Sequence, residues 1–227
     1  MEPFRRLTAV AAPLDAVNVD TDQIIPARFI KYPRSGAAGY GSFLFHDLRF
    51  DETGQDRPDF ILNREPFRGA RIIVGNANFG SGSSREGAVY ALLDHGVRAV
   101  IAPSFGDIFF NNCLKNGIVP AQLADGTCAD LRTRLHSAPG SQVSVDLEQL
   151  IVWDGGGAPH PFVIDEFRRA LLLEGSDEIG LTLGMQREIS LVVQQYSARY
   201  PWLSKVTQTS HDRSGPVLRS GAVVSGT

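Results

Sequence analysis

Residues 78–86 read Asn78-Phe79-Gly80-Ser81-Gly82-Ser83-Ser84-Arg85-Glu86, which concentrates small residues, hydroxyls and one guanidinium in nine positions. Such a set can bind a small anion. Glycines let a ligand approach the backbone, N–H groups at a helix start attract negative charge, and a planar guanidinium grips a carboxylate through two parallel hydrogen bonds. The same residues also read as a capping box, with Ser83 as N-cap and Glu86 three positions later. The two readings are compatible, because a capping serine sits where an anion docks. Other motifs are excluded by what is missing. No Gly-Lys-Ser/Thr ends a phosphate loop, and Arg85 stands where a dinucleotide fingerprint needs its third glycine. No Gly-x-Ser-x-Gly surrounds Ser81, Ser83 or Ser84.

The elements that must hold this loop follow from the hydrophobic pattern. Leu7 to Leu14 reads as a first strand, and Asn18 to Gln23 as a polar turn closed by Ile24-Ile25-Pro26. Residues 31–58 are rich in Gly, Pro, Arg and aromatics and read as a long irregular segment, a length that in compact domains often carries function. Arg71 to Val74 is a short buried strand, and Gly75 to Gly82 a glycine loop. Ser83 to His95 is a helix stopped by Gly96, and Arg98 to Ala102 a second strand. Phe105 to Asn116 is a second helix stopped by Gly117, and Ile118 to Pro120 a third strand. This alternation predicts a parallel sheet with helical crossovers. Further on, Val143–Leu147, Leu150–Trp153 and Pro161–Ile164 read as short antiparallel strands. Asp165 to Glu174 reads as a helix with Phe167, Ala170, Leu171 and Glu174 on one face. Residues 203–227 are Ser/Thr/Gly-rich and read as a disordered tail after a single domain over 1–202.

Composition narrows the function classes. The net charge of -3, from 22 Lys+Arg against 25 Asp+Glu, offers no basic field for nucleic acid. No apolar run approaches the ~18 residues of a membrane span. Pro13 and Asp15 cut short the apolar stretch after Arg5-Arg6, so it is a poor secretion signal. Cys113 and Cys128 are the two cysteines, too few for a disulfide framework and consistent with a reducing cytoplasm. They are also too few for an all-cysteine iron–sulfur site. Cys113, Phe105 and Phe109 read as core, Cys128 as a thiol near a surface turn, and His46 and His95 as structural.

Three motifs occur in order: Asn18-Val19-Asp20-Thr21-Asp22-Gln23-Ile24-Ile25-Pro26, then Asn78 to Glu86, then Ile101-Ala102-Pro103-Ser104-Phe105-Gly106-Asp107-Ile108-Phe109. Together they resemble the small subunits of 3-isopropylmalate dehydratase, the detached swivel domain of the aconitase superfamily. Pro161 to Arg169 and Ser176 to Leu183 extend the resemblance to roughly residues 5–200. The resemblance implies an α/β fold: a swivelling β/β/α domain with a parallel strand–helix core and additional short antiparallel strands. It implies a cytoplasmic hydro-lyase that isomerises 2-isopropylmalate to 3-isopropylmalate through isopropylmaleate, in leucine biosynthesis. It also implies a partner, a large subunit carrying a 4Fe-4S cluster, in a heterodimer or heterotetramer. This chain itself would bind no cofactor or metal.

The resemblance assigns roles by position. Ser83 matches the catalytic base that takes a carbon-bound proton, and Asp22 a catalytic partner across the cleft. Ser84 and Arg85 match ligands of the substrate carboxylate, and Arg34 a second carboxylate-binding arginine on a mobile loop. Without the resemblance, Asp22 reads as an Asx-turn and Arg34 as a solvated loop residue. The chain departs from the usual pattern at Gly87-Ala88 (commonly His-Ala), at Ser81 (commonly Cys) and at Val89-Tyr90 (commonly Pro-Trp). Two other readings stay open: a paralogous hydro-lyase for a methyl- or dimethylmalate, and a non-catalytic anion-binding module.

Overall fold

Strand β1 (Arg6–Pro13) is the pivot of a seven-stranded sheet ordered β4-β3-β2-β1-β5-β6-β7. Its two halves pair differently. Ala11 to Pro13 run parallel to β2 (Ile72–Val74), whereas Arg6 to Val10 run antiparallel to β5 (Gln142–Asp146). On the first side, β3 (Ala99–Ala102) and β4 (Val119–Gln122) continue the parallel ladder. On the second, β6 (Ile151–Trp153) and β7 (His160–Pro161) continue the antiparallel one. The computed structural model describes residues 1–36, 38–83, 85–176 and 178–202. The stretch 203–227, read above as a tail, lies outside the described residues.

Both faces of the parallel part are buried, which is why its strands are continuous apolar runs. Alternate residues feed opposite layers. Ile73, Val100 and Ala102 join one core layer with Ile24, Phe45, Phe79 and Leu92. Ile72, Val74, Ala99 and Ile101 join the other with Leu131, Leu135, Val145 and Leu172. Helix α4 (Glu86–His95) packs into the first layer through Ala88, Val89, Ala91 and Leu92. Helices α6 (Asp125–Ser137) and α7 (Glu166–Glu174) pack into the second. Helix α5 (Asp107–Asn116) serves both, Cys113 facing one layer and Leu114 the other. Gly96, Gly117 and Gly175 end α4, α5 and α7 in the left-handed conformation.

Several expectations need correction. The polar turn at 18–23 contains a one-turn helix, α1 (Thr21–Ile24), capped by Asp20 in a full capping box with Gln23. The irregular segment 31–58 holds a further short helix, α3 (His46–Arg49), after α2 (Ala27–Ile30). The helix expected from Ser83 begins only at Glu86. Helix α6 has no counterpart in the sequence reading, and it buries Cys128 completely instead of leaving it at a surface turn. The strand expected over 161–164 shrinks to His160–Pro161, although Phe162 still donates to the Leu150 carbonyl at 2.9 Å. On α7 the buried residues are Leu171 and Leu172, while Phe167 is exposed.

The chain divides into compact units Met1–Glu178 and Ile179–Thr227. The second contains most of α8 (Glu178–Gly184) and all of α9 (Gln186–Arg199).

Candidate active site

The glycine loop leaves β2 at Gly75 and is bonded along both sides. On one side it meets the segment that follows β1. Asn18 donates to the Ala77 carbonyl at 2.9 Å, Gly80 and Ser81 to the Val19 carbonyl at 2.7 and 3.2 Å, and Thr21 to the Ser81 carbonyl at 2.9 Å. The Thr21 hydroxyl then donates to the Ser83 carbonyl at 3.1 Å. On the other side it meets the segment that follows β3. Asn78 donates to Ser104 Oγ at 2.8 Å, Phe79 to the Ser104 carbonyl at 3.0 Å, and Gly106 to the Phe79 carbonyl at 2.9 Å. These two flanks are the first and third sequence motifs, so the three motifs meet as adjacent strips of backbone. Phe79, Phe105 and Phe109 pack beneath them, with ring centroids 5.6 to 6.5 Å apart. Gly80 is required here: its φ is +73°, and a Cβ would lie 2.1 Å from the Phe109 ring.

This zipping brings three of the expected site residues together. Asp22 lies in the first turn of α1, Ser83 at the exposed end of the glycine loop, and Arg85 at the N-cap of α4. Arg85 has extended backbone, φ −131° and ψ 106°, and among the described residues no side chain caps α4. The capping box expected at Ser83 and Glu86 therefore does not form, and Arg85 stands at the helix entrance rather than inside it. Its guanidinium donates to Asp22 Oδ1, which also accepts from Ala27 N–H at 3.3 Å. Ser84 lies outside the described residues.

Arg34 is held elsewhere. It makes a bidentate pair with Asp94, Nε to Oδ2 at 2.9 Å and Nη2 to Oδ1 at 2.6 Å, and its guanidinium lies 4.2 Å over the Tyr90 ring. Asp94 also accepts from Tyr40 N–H at 2.8 Å. Burial pushes the Asp94 carboxyl up, but Arg34 and the Tyr40 N–H together hold it below its ordinary range. Asp94 is roughly 13 Å of helix rise beyond Arg85. In this conformation Arg34 ties the 31–41 loop to the far half of α4 and takes no part in the Asp22–Arg85 cluster.

The departures at 87–90 have local physical reasons. Gly87 is buried, and a Cβ there would lie 3.2 Å from Cδ1 and Cγ1 of Ile30, so the missing side chain makes room for α2. Val89 is core, and Tyr90 forms the seat of Arg34 while its hydroxyl donates to Glu86 at 3.0 Å. Neither cysteine is poised for chemistry. Burial pushes the Cys113 thiol well up and the Cys128 thiol up to about 11. Among the described residues no group of three or more His, Cys, Asp or Glu side chains is arranged to hold a metal ion.

Comparison with known proteins identifies the family. The model of the aconitase C-terminal domain matches residues 1–126. The 3-isopropylmalate dehydratase small subunit of Granulibacter bethesdensis is 48% identical over 207 residues, 91% of this chain and 98% of the relative. The chain belongs to the 3-isopropylmalate dehydratase small-subunit family. The small subunit of Rhodospirillum centenum is also 48% identical, over 89% of this chain and 98% of its own. The crystal structure of a 3-isopropylmalate dehydratase from Methanocaldococcus jannaschii has the same fold. It superimposes with a TM-score of 0.56 at 23% identity, covering 84% of this chain and 98% of that one.

Proposed function

We propose that this chain is the small subunit of a hydro-lyase that converts 2-isopropylmalate to 3-isopropylmalate through isopropylmaleate, and that it works only with a large subunit. The observation that carries this reading is the meeting of Asp22, Ser83 and Arg85 at the entrance of α4, in a member of this family. A dicarboxylate bound there would meet the Arg85 guanidinium and the N–H groups of the helix start. Both favour an anion. Such a carboxylate competes with Asp22 for Arg85, so Asp22 keeps the guanidinium oriented until substrate arrives. Ser83, on the same loop end, would take the carbon-bound proton. The positive helix terminus and Arg85 lower the cost of negative charge on its oxygen.

The cluster of the family's large subunit would supply Lewis-acid activation of the departing hydroxyl. The residues here do not fit that group: both thiols are buried, protonated and on separate helices. The contribution of this chain is the grip on carboxylate and the proton at carbon. The polar site and the reducing-compartment cysteine usage fit a cytoplasmic enzyme, and no helix among the described residues is long and apolar enough to cross a membrane.

The test is reconstitution. This chain, mixed with a cluster-bearing large subunit, should interconvert 2- and 3-isopropylmalate, and each chain alone should not. Turnover confined to methyl- or dimethylmalate would reassign the substrate, and no turnover of any alkylmalate would leave the binding-module reading.

A further inference from the structure

Arg132 stands out on α6. It is 8% exposed and lies in the same buried stripe as Cys128, Leu131 and Leu135, where an apolar residue would fill the space without desolvating a charge. Its partners explain why a guanidinium is there. Nη1 donates to the Gly75 carbonyl at 2.7 Å, at the root of the glycine loop. Nε lies 3.2 Å from Asp15 Oδ1, at the root of the segment leading to Asp22. The two roots are also joined directly, because Asn76 Nδ2 donates to the Asp15 carbonyl at 2.9 Å. One turn on, His136 Nε2 lies 2.7 Å from the other Asp15 oxygen. From these roots the two segments run side by side, bonded at Asn18, Gly80, Ser81 and Thr21, up to Asp22 on one and Ser83 and Arg85 on the other.

We propose that Arg132 is a positioning residue for the site: from the opposite layer of the fold it clamps the 15–22 segment and the glycine loop in one register, and so fixes Asp22 relative to Ser83 and Arg85. This rests on the functional reading above for its catalytic consequence, but not for its structural one. The geometry calls for arginine specifically. Two nitrogens of one rigid fork reach acceptors on two different segments, whereas a lysine ammonium satisfies one and leaves the other. The reacting residues sit at the far end of the paired strips, so a small slip at the root becomes a displacement at Ser83. Misplacements on the scale of an ångström cost up to about a hundredfold in rate.

The experiment combines hydrogen exchange on the full chain with kinetics on the reconstituted pair. Arg132→Lys and Asp15→Asn are compared with Arg134→Ala, a control on the same helix whose partner is the distant Asp154. Arg132→Met is included, and where it fails to fold the other two variants carry the test. The expected result is faster exchange at the amides of Thr21, Gly80 and Ser81 in both test variants, with the β3 and β4 amides unchanged. With it should come a kcat lower by roughly tenfold to a hundredfold and a KM within about threefold of wild type. Arg134→Ala should change neither. Unchanged exchange at the loop overturns the proposal. Faster exchange with normal kcat overturns it too, by reducing Arg132 to a purely structural contact. If the wild-type pair turns over no alkylmalate, the functional reading fails and exchange alone decides the clamp.

Discussion

The Arg85 guanidinium donates to the Asp22 carboxylate across a separation of 63 residues, joining the entrance of α4 to the first turn of α1. Each partner answers a need of the other. A cation at a helix N-terminus faces the positive end of the dipole, and a nearby carboxylate offsets that. Asp22 is half exposed and Arg85 a quarter exposed, so solvent screens the pair; under the proposed function an incoming carboxylate would exchange with Asp22 at little cost. The contact orients the guanidinium without locking it.

Arg85→Lys keeps the charge and loses the planar fork. The expected outcome is a kcat/KM for 2-isopropylmalate at least tenfold lower, about 1.4 kcal/mol, with a melting temperature close to wild type. Steady-state kinetics with the large subunit and a thermal melt check it. Wild-type kinetics would remove Arg85 from the carboxylate site.

Ser83→Ala separates chemistry from capping. Loss of a working serine cap costs about 1 kcal/mol, but Ser83 lies before the Arg85 N-cap and caps nothing. Stability should therefore change by less than about 0.5 kcal/mol. Turnover should fall by two orders of magnitude or more if its oxygen takes the proton, since general-base groups contribute about that much. Urea unfolding and kcat on the same variant decide it, and near-normal kcat would assign the base elsewhere.

Much of the parallel core was legible because both its layers are built from uninterrupted apolar runs with glycine stops at Gly96 and Gly117. The loop and its flanks were legible as motifs, but their adjacency was not, because hydrogen bonds between residues 18–21 and 77–83 leave no periodic trace in sequence. The capping signal misled for a related reason. A hydroxyl and a glutamate three apart permit a box without ensuring one, and the box that forms is Asp20 with Gln23. Helix α6 was hidden by its composition: Gly126, Thr127 and Thr133 are poor helix formers, and its buried stripe is completed by Arg132 rather than by a fourth apolar residue. The signal that could have found it is Cys128, Leu131 and Leu135 at i, i+3 and i+7. The Arg34–Asp94 pair was illegible because charge alone does not say which of many carboxylates a loop arginine will meet.

Gly87→Ala sets two effects against each other. Alanine in a helix gains up to ~1 kcal/mol over glycine, while the added Cβ would press on Ile30 at 3.2 Å. The single variant should stay within about 0.5 kcal/mol of wild type. In an Ile30→Ala background both of the crowding carbons, Cδ1 and Cγ1, are gone, and Gly87→Ala should then add about 1 kcal/mol. Urea unfolding of the four proteins in this cycle tests it. An equal effect of Gly87→Ala in both backgrounds would show that Ile30 is not what the glycine accommodates.

His95 makes folding sensitive to acid. It is the last residue of α4, where the helix dipole favours a protonated imidazole. Burial opposes this and wins: burial first, then the Arg49 cation, hold His95 below its ordinary pKa, against smaller upward pulls from the backbone at Arg68 and Gly41. Its Nε2 is buried without a hydrogen-bond partner, as suits a ring that stays neutral. The sign follows from proton counting. An unfolded histidine binds its proton near pH 6.5, and the folded one only at lower pH. Below about pH 6.5 the unfolded state therefore carries more protons, and stability falls as pH drops through the folded pKa. Above that pH the contribution is complete. Urea unfolding at about pH 7.5 and pH 5.5 should show a loss of stability at the lower pH in the wild type, and a distinctly smaller loss in His95→Gln. An identical pH dependence in the two proteins would place the acid sensitivity in other groups.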